Sequence, residues 1–355
     1  MRPNFKAIWC VVVVGFAGCA ADTRADDPGG AATTSGNAAP DASAAEGTAS
    51  LGDTGDSTAG AGQDESTTEP QQIFDVGAAD DGPEPPQQGC SKLDFLFVVD
   101  NSLSMVTHQQ TLISSFGPFI DTILDEVQAH DFQILVTDSD AGEDVLACVG
   151  CLFCGDYCDQ AVGFDSCETT LGAGEVQPYS LGASNRVCGV PDGHRYLTSD
   201  LPIQASKDMF ACMAQVGTGG SGAELPMSAL VQAVTSQSAD GGCNAGFVRS
   251  DAVLVVTVIT DDPYDEQTPD DASTVGSPQQ WYDAIVAAKG GDADNVVMLG
   301  IVRVQDAPTP RFLEFLALFG DRGLTGDIFA AEYGSFFDTA VGLIDTACNE
   351  FMPEG

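Results

Sequence analysis

Asp100-Asn101-Ser102-Leu103-Ser104 sets a carboxylate and two hydroxyls at alternate positions, directly after an apolar run at 93–99. Alternating side chains at a strand's end can bring three oxygens to one point, and Mg²⁺ wants an octahedron of such hard oxygens while keeping some waters. The competing use of Ser102 or Ser104 is as a cap for the helix that follows. A second apolar run, 251–260, ends in Asp261-Asp262, a pair that either adds a carboxylate to the same point or is a solvated loop. The Gly-rich segment 217–226 contributes Thr218 and Glu224, and there Ser221 and Glu224 have the S-x-x-E spacing of a capping box.

Two other constellations compete for the chemistry. Cys148, Cys151, Cys154 and Cys158 have the spacing of a bacterial ferredoxin cluster loop, although Asp159 stands where that motif has proline. The preferred reading is disulfides, with zinc or an iron–sulfur cluster as alternatives. Residues 219–223 nearly spell the G-x-S-x-G of a serine hydrolase, but Ala223 breaks the pattern. All three histidines, His108, His130 and His194, lie upstream of Ser221, whereas that fold needs its histidine downstream. His108 and His130 read as exposed helix residues and His194 as part of an insertion.

The elements that would position these residues alternate in type. Apolar runs at 93–99, 132–137, 251–260 and 295–302 suit strands buried on both faces. Helical spacing covers 105–129, with Leu112, Phe116, Phe119, Ile120, Ile123, Leu124 and Val127 on one face, and recurs at 226–236, 278–289, 310–319 and 333–349. The expected fold is therefore α/β, a doubly wound, mostly parallel sheet covered by helices on both sides. Ligands of such folds sit at the carboxyl ends of the strands. Residues from about 138 to 200 break the alternation. They hold six cysteines and many glycines, and read as a disulfide-rich insertion beside the ligand face, with too little core of its own.

The strand running into Asp100-x-Ser102-x-Ser104, with a helix behind it, resembles the metal-ion-dependent adhesion site (MIDAS) of von Willebrand factor type A domains. The resemblance extends over about residues 90–348, with the insertion as extra. It implies a vWA/Rossmann-like fold and a cation (Mg²⁺, or Mn²⁺ or Ca²⁺) bound directly by Ser102 and Ser104, with Asp100 and Asp261 helping, usually through water. It also implies a partner whose acidic side chain completes the coordination; with no nucleophile or general base in the sequence around that metal, no catalysis is expected. The third direct ligand stays open. Glu224 falls where relatives have threonine or, in a Gly-Gly-Gly-Asp-x-Pro-Glu motif, aspartate; Pro226 fits that motif and Met227 departs from it. Thr218 keeps the family's residue type but lies further upstream.

Composition limits the partners. Acidic residues number 53 against 12 basic ones, a formal net charge of −41, which repels nucleic acid and anionic lipid alike. Residues 1–18 read as an export signal: Arg2 and Lys6 precede an apolar stretch too short to span a bilayer. Phe16-Ala17-Gly18-Cys19 resembles the lipobox of bacterial lipoproteins, which implies lipidation of Cys19 and membrane attachment through lipid alone. Ala20 follows rather than an inner-membrane retention aspartate, which favours the outer membrane of the cell envelope.

Residues 19–89, rich in Ala, Gly, Asp, Ser, Thr and Pro, read as a disordered tether with an r.m.s. span of about 45 Å. The folded domain is expected over 90–355. Of the 12 cysteines, those other than Cys10 and Cys19 are disulfide candidates: Cys90, Cys148, Cys151, Cys154, Cys158, Cys167, Cys188, Cys212, Cys243 and Cys348. Connectivity cannot be read from spacing, though a Cys90 to Cys348 bridge would tie the domain's ends together. The reading that follows is an envelope-anchored, metal-dependent interaction or adhesion module. A redox or metal-handling protein built on the clustered cysteines, or a metal-free scaffold, are the alternatives.

Overall fold

A computed structural model describes residues 90–140, 166–220, 224–261, 276–305 and 310–351. The chain divides after Val76 into two units, and all described residues belong to the second, Gly77–Gly355. Cys10, Cys19, the cysteines from 148 to 158, Ser221 and Asp262 lie outside the described residues, and with them the lipobox, the tether and the cysteine cluster.

Strand β1, Lys92–Val99, is buried from Leu93 onward. Its odd positions Leu93, Phe95, Phe97 and Val99 join one apolar cluster, and Leu96 and Val98 join the other. That is the two-residue period of a strand covered on both faces. β1 pairs in parallel with β2, Asp131–Asp138, and with β4, Val253–Ile259. β4 then pairs with β5, Val296–Val302, and β5 with β6, Gly323–Asp327, again in parallel. A two-residue strand β3, Leu197–Thr198, adds antiparallel to the outer edge of β2. The sheet order is β3-β2-β1-β4-β5-β6, a doubly wound order whose direction of growth reverses between β1 and β4. The fold is the doubly wound α/β class expected from the sequence, with disulfides in the insertion.

One face is covered by α1 (Val106–Thr122), α2 (Ile203–Met213) and α6 (Gly334–Glu350), the other by α3 (Pro226–Val234), α4 (Pro278–Ala288) and α5 (Pro310–Ala317). Aromatic rings lock the first layer. Phe116 of α1 stacks on Phe210 of α2 at 3.6 Å, and Phe119 meets Phe337 of α6 at 4.7 Å. Gly300 of β5 lets α5 approach, because a Cβ there would come within 2.6 Å of Leu316.

The structure corrects several expectations. The helix expected over 105–129 is α-helical only to Thr122. It continues as a π-turn, Ile123–Val127, which Gln128 ends in the left-handed conformation. α2 and the edge strands β3 and β6 were not foreseen. β6, Gly-Leu-Thr-Gly-Asp, has neither apolar run nor alternation, and is set by pairing with β5. The insertion is also better rooted than its composition implied. Leu197 and Tyr196 enter the two apolar clusters, and Arg195, next in the chain, makes a buried ion pair with Glu168 at 2.7 Å. Its disulfides tie it to the body: Cys167 to Cys243 ahead of β4, and Cys188 to Cys212 in α2. Cys90 bonds Cys348, as expected. His108 lies on α1 half-buried rather than exposed; His130 is exposed but lies beyond the helix, and His194 is exposed.

Candidate metal centre

Val99 pairs with Ile259, so Asp100 and Thr260 leave the two central strands side by side, and the Asp100 N–H donates to the Ile259 carbonyl at 3.0 Å. Connections from β1 and β4 diverge to opposite sides of the sheet here, opening the crevice in which such folds hold ligands.

Asp100 is fully buried. Its Oδ1 accepts from the Ser102 N–H at 2.7 Å, and its Oδ2 from the Thr260 hydroxyl at 2.6 Å. Burial pushes this carboxyl up to about 6; the hydrogen bonds from Thr260 and Ser102 oppose the rise, and the charge of Asp261 adds to it. The turn at Ser102 throws the next residues outward. Leu103–Met105 form one 3₁₀ turn, with Met105 buried beneath and Ser104 exposed. Neither Ser102 at the head of that turn nor Met105 at the head of α1 makes a side-chain cap. The capping role weighed for these serines is therefore not taken up.

The hydroxyls turn instead to each other and to β4. Ser102 Oγ and Ser104 Oγ are 3.2 Å apart, and the Ser104 hydroxyl donates to Asp261 Oδ1 at 2.8 Å. Adjacent oxygens of an octahedron around Mg²⁺, with bonds of 2.0–2.1 Å, lie about 3 Å apart. The spacing of these oxygens fits such an ion. Among the described residues no three His, Cys, Asp or Glu side chains converge on one point. A cation here would rest on hydroxyls as much as on carboxylates.

Glu224 and Thr218 are placed differently. Glu224 is buried, and it accepts from the Ser139 hydroxyl at the end of β2. Ser139 Oγ in turn accepts from the Asn101 N–H at 3.4 Å, so Glu224 meets the Asp100 loop from behind, through Ser139. α3 begins at Pro226 with Leu225 as its N-cap, so Glu224 lies ahead of the first turn and is not the third residue of a capping box. The Thr218 hydroxyl donates to the Leu181 carbonyl of the insertion at 3.1 Å. The structure thus brings Asp100, Ser102, Ser104 and Asp261 together and sets Glu224 and Thr218 on the surrounding loops.

Four further residues hold the site. Gln109 of α1 is buried, and its amide donates to the carbonyls of Asp100 and Gly217 at 3.0 and 2.7 Å. It is the polar exception on the stripe Met105, Leu112, Phe116, a signal available in the sequence. Thr260 stands directly before Asp261 and was passed over for it. Arg303, after β5, donates through Nε to the Asp261 carbonyl at 3.2 Å, and nothing local marks it. Gly220 donates its N–H to the Asn101 carbonyl at 3.2 Å. A Cβ there would come within 2.1 Å of Asn101 Oδ1, so this close approach of two loops requires glycine.

Fold and site together define a doubly wound α/β domain with an oxygen-rich cluster at its switch point. No protein-family model matches the sequence, and no curated protein does. Solved structures do match. The proximal thread matrix protein 1 of the mussel byssus is 12% identical, with a TM-score of 0.36, over 72% of this chain and 49% of that one. The same protein with a zinc-occupied MIDAS motif gives 12% identity and a TM-score of 0.35, over 72% and 48%. The human COPII-coat protein Sec24c is 9% identical with a TM-score of 0.36, over 78% and 37%. This chain spans less than half the length of each.

Proposed function

We propose that this chain is an envelope lipoprotein whose domain binds a protein or surface ligand through a divalent cation. The observation that carries the reading is the meeting of Ser102, Ser104, Asp100 and Asp261 at the ends of β1 and β4, with oxygen spacings of 3.2 and 2.8 Å. Ser102 and Ser104 would hold the ion directly, with Asp100 and Asp261 supplying the negative charge. Thr260 and the Ser102 N–H keep the Asp100 carboxylate in place. When bound, Mg²⁺ (or Mn²⁺ or Ca²⁺) supplies an open coordination position for a partner's carboxylate oxygen. The reading is of a binding module rather than an enzyme. Attachment through lipid at Cys19, and the outer membrane as its place, rest on the lipobox-like 16–19 and on Ala20.

Mg²⁺ and Mn²⁺ titration calorimetry on the oxidised chain tests this. One saturable site is expected, abolished in Asp100→Ala and weakened at least tenfold in Ser104→Ala, whose exposed position spares the fold. Absence of binding at millimolar metal would sink the metal-dependent mechanism in favour of a scaffold. That second reading draws on the way these side chains already satisfy one another, Ser104 with Asp261 and Thr260 with Asp100.

A further inference from the structure

The disulfide-rich insertion holds a pocket of about 360 Å³. Sites that take small molecules measure about 300–1,000 Å³, so its size alone admits a ligand. Val176, Val187 and Val190 form apolar walls, and the Cys167–Cys243 disulfide, Gln177, His194 and Arg195 complete the lining. Val187 is 59% exposed, which leaves that wall open to water. The insertion follows the outer edge of β2, where the Glu175 N–H donates to the Val136 carbonyl at 2.7 Å and Leu197 pairs with Ile134. No residue that meets at the metal centre lines the pocket.

Irregular backbone keeps a pocket open only if its walls are tied, and these are. Cys188, next to Val187, is bonded to Cys212 of α2, and its N–H donates to the Val176 carbonyl at 2.9 Å. Cys167 is bonded to Cys243. Beside that bridge the Asn244 amide donates to the Gly172 carbonyl at 2.7 Å, and its Oδ1 accepts from the Gly174 N–H at 2.8 Å. Buried Arg195 donates through Nε to the Gly174 carbonyl at 2.8 Å and pairs with Glu168 at 2.7 Å. The His194 ring stacks on Tyr196 at 4.8 Å. A site formed before its ligand arrives binds at a lower ordering cost.

The lining also sets the ligand's chemistry. Arg195 and Glu168 neutralise each other, so a charged guest would lose its water without gaining a counter-ion. Hydrocarbon against the three valines gains from leaving water. Gln177 and His194 can each meet one polar group, as donor or acceptor. The volume is that of about a dozen liquid waters. We propose that the insertion is a second binding site, independent of the metal centre, for a small uncharged molecule. Its ligand has an apolar body and one amide, carbonyl or hydroxyl group.

Saturation-transfer NMR on the full oxidised chain, in EDTA at pH 7.5, tests this with three probes of matched shape: 4-phenylbutanamide, 4-phenylbutanoate and 4-phenylbutylamine. The amide is expected to bind with a Kd of about 1 mM or tighter, the order for a ligand of about a dozen heavy atoms. The two charged probes should bind at least fivefold more weakly. Val187→Asp, at an exposed position, should weaken the amide at least tenfold, and Mg²⁺ in place of EDTA should change nothing. No amide binding at millimolar concentration, charged probes bound as tightly, unchanged binding in Val187→Asp, or a Mg²⁺-dependent affinity would each overturn the proposal.

Discussion

Thr260 decides the state of the site as much as the serines do. Its hydroxyl donates to Asp100 Oδ2 at 2.6 Å, with both groups fully buried. Thr260→Val keeps the shape and removes the donor. A buried acceptor left short of a partner costs about 1–3 kcal/mol. We expect a loss of that size in urea unfolding without metal, and Mg²⁺ affinity at least fivefold weaker because the carboxylate is no longer held. Unchanged stability and affinity in this variant would show that Thr260 merely lies nearby. Asp100, Ser102 and Ser104 were legible because a strand end followed by alternating oxygens is a local pattern. Asp261, at the end of another strand, was reached only through the family resemblance. Thr218 and Glu224 were harder, since their choice depends on how a Gly-rich loop folds back. In the event Glu224 took Ser139 and Thr218 took Leu181. Arg303 could not be foreseen, because only the β4–β5 pairing brings it to Asp261.

At the scale of elements, the end of the sheet opposite the site carries its own polar clamp. Asp94 is fully buried within β1, and Arg249, just ahead of β4, donates to it through Nε at 2.7 Å and through its own N–H at 2.8 Å. The same guanidinium reaches Asp131 at the start of β2 at 2.5 Å, so one side chain ties the amino ends of three strands. Burial alone would lower the Arg249 pKa; Asp94 and Asp131 beside it raise it. Arg249→Leu strands the Asp94 charge. Breaking a buried pair costs about 3–5 kcal/mol, so the urea midpoint should drop accordingly. Arg249→Lys should recover part of the loss. A shift below about 1 kcal/mol would mean that Asp94 simply takes up a proton. Asp94 inside an apolar run was visible in the sequence as an oddity, but its partner 155 positions away was not. The same holds for β3 and β6, which exist through pairing rather than through propensity.

The whole molecule carries its acidity into its stability. In the folded state burial raises Asp94 from 3.8 to about 6, against the pull of Arg249. Between those values the folded chain binds more protons than the unfolded chain. The derivative of unfolding free energy with pH is then negative, and stability falls as pH rises through about 4 to 6 and levels above. For this one group the span is up to about 3 kcal/mol. Asp100, raised to about 6 mainly by burial, acts in the same direction without metal. Asp251, held low by Lys92, acts the other way, but it is nearly half exposed, so solvent screens its share. Repulsion within a chain of net charge −41 adds to the slope and weakens with salt. Urea midpoints of the oxidised chain in EDTA should therefore be higher at pH 5 than at pH 7.5, and should rise with NaCl at pH 7.5. Asp94→Asn should flatten the slope between pH 4 and 6. A midpoint that climbs steadily from pH 5 to 7.5 would contradict the assignment, because buried carboxylates would then be held in charged form by partners stronger than Arg249 and Thr260.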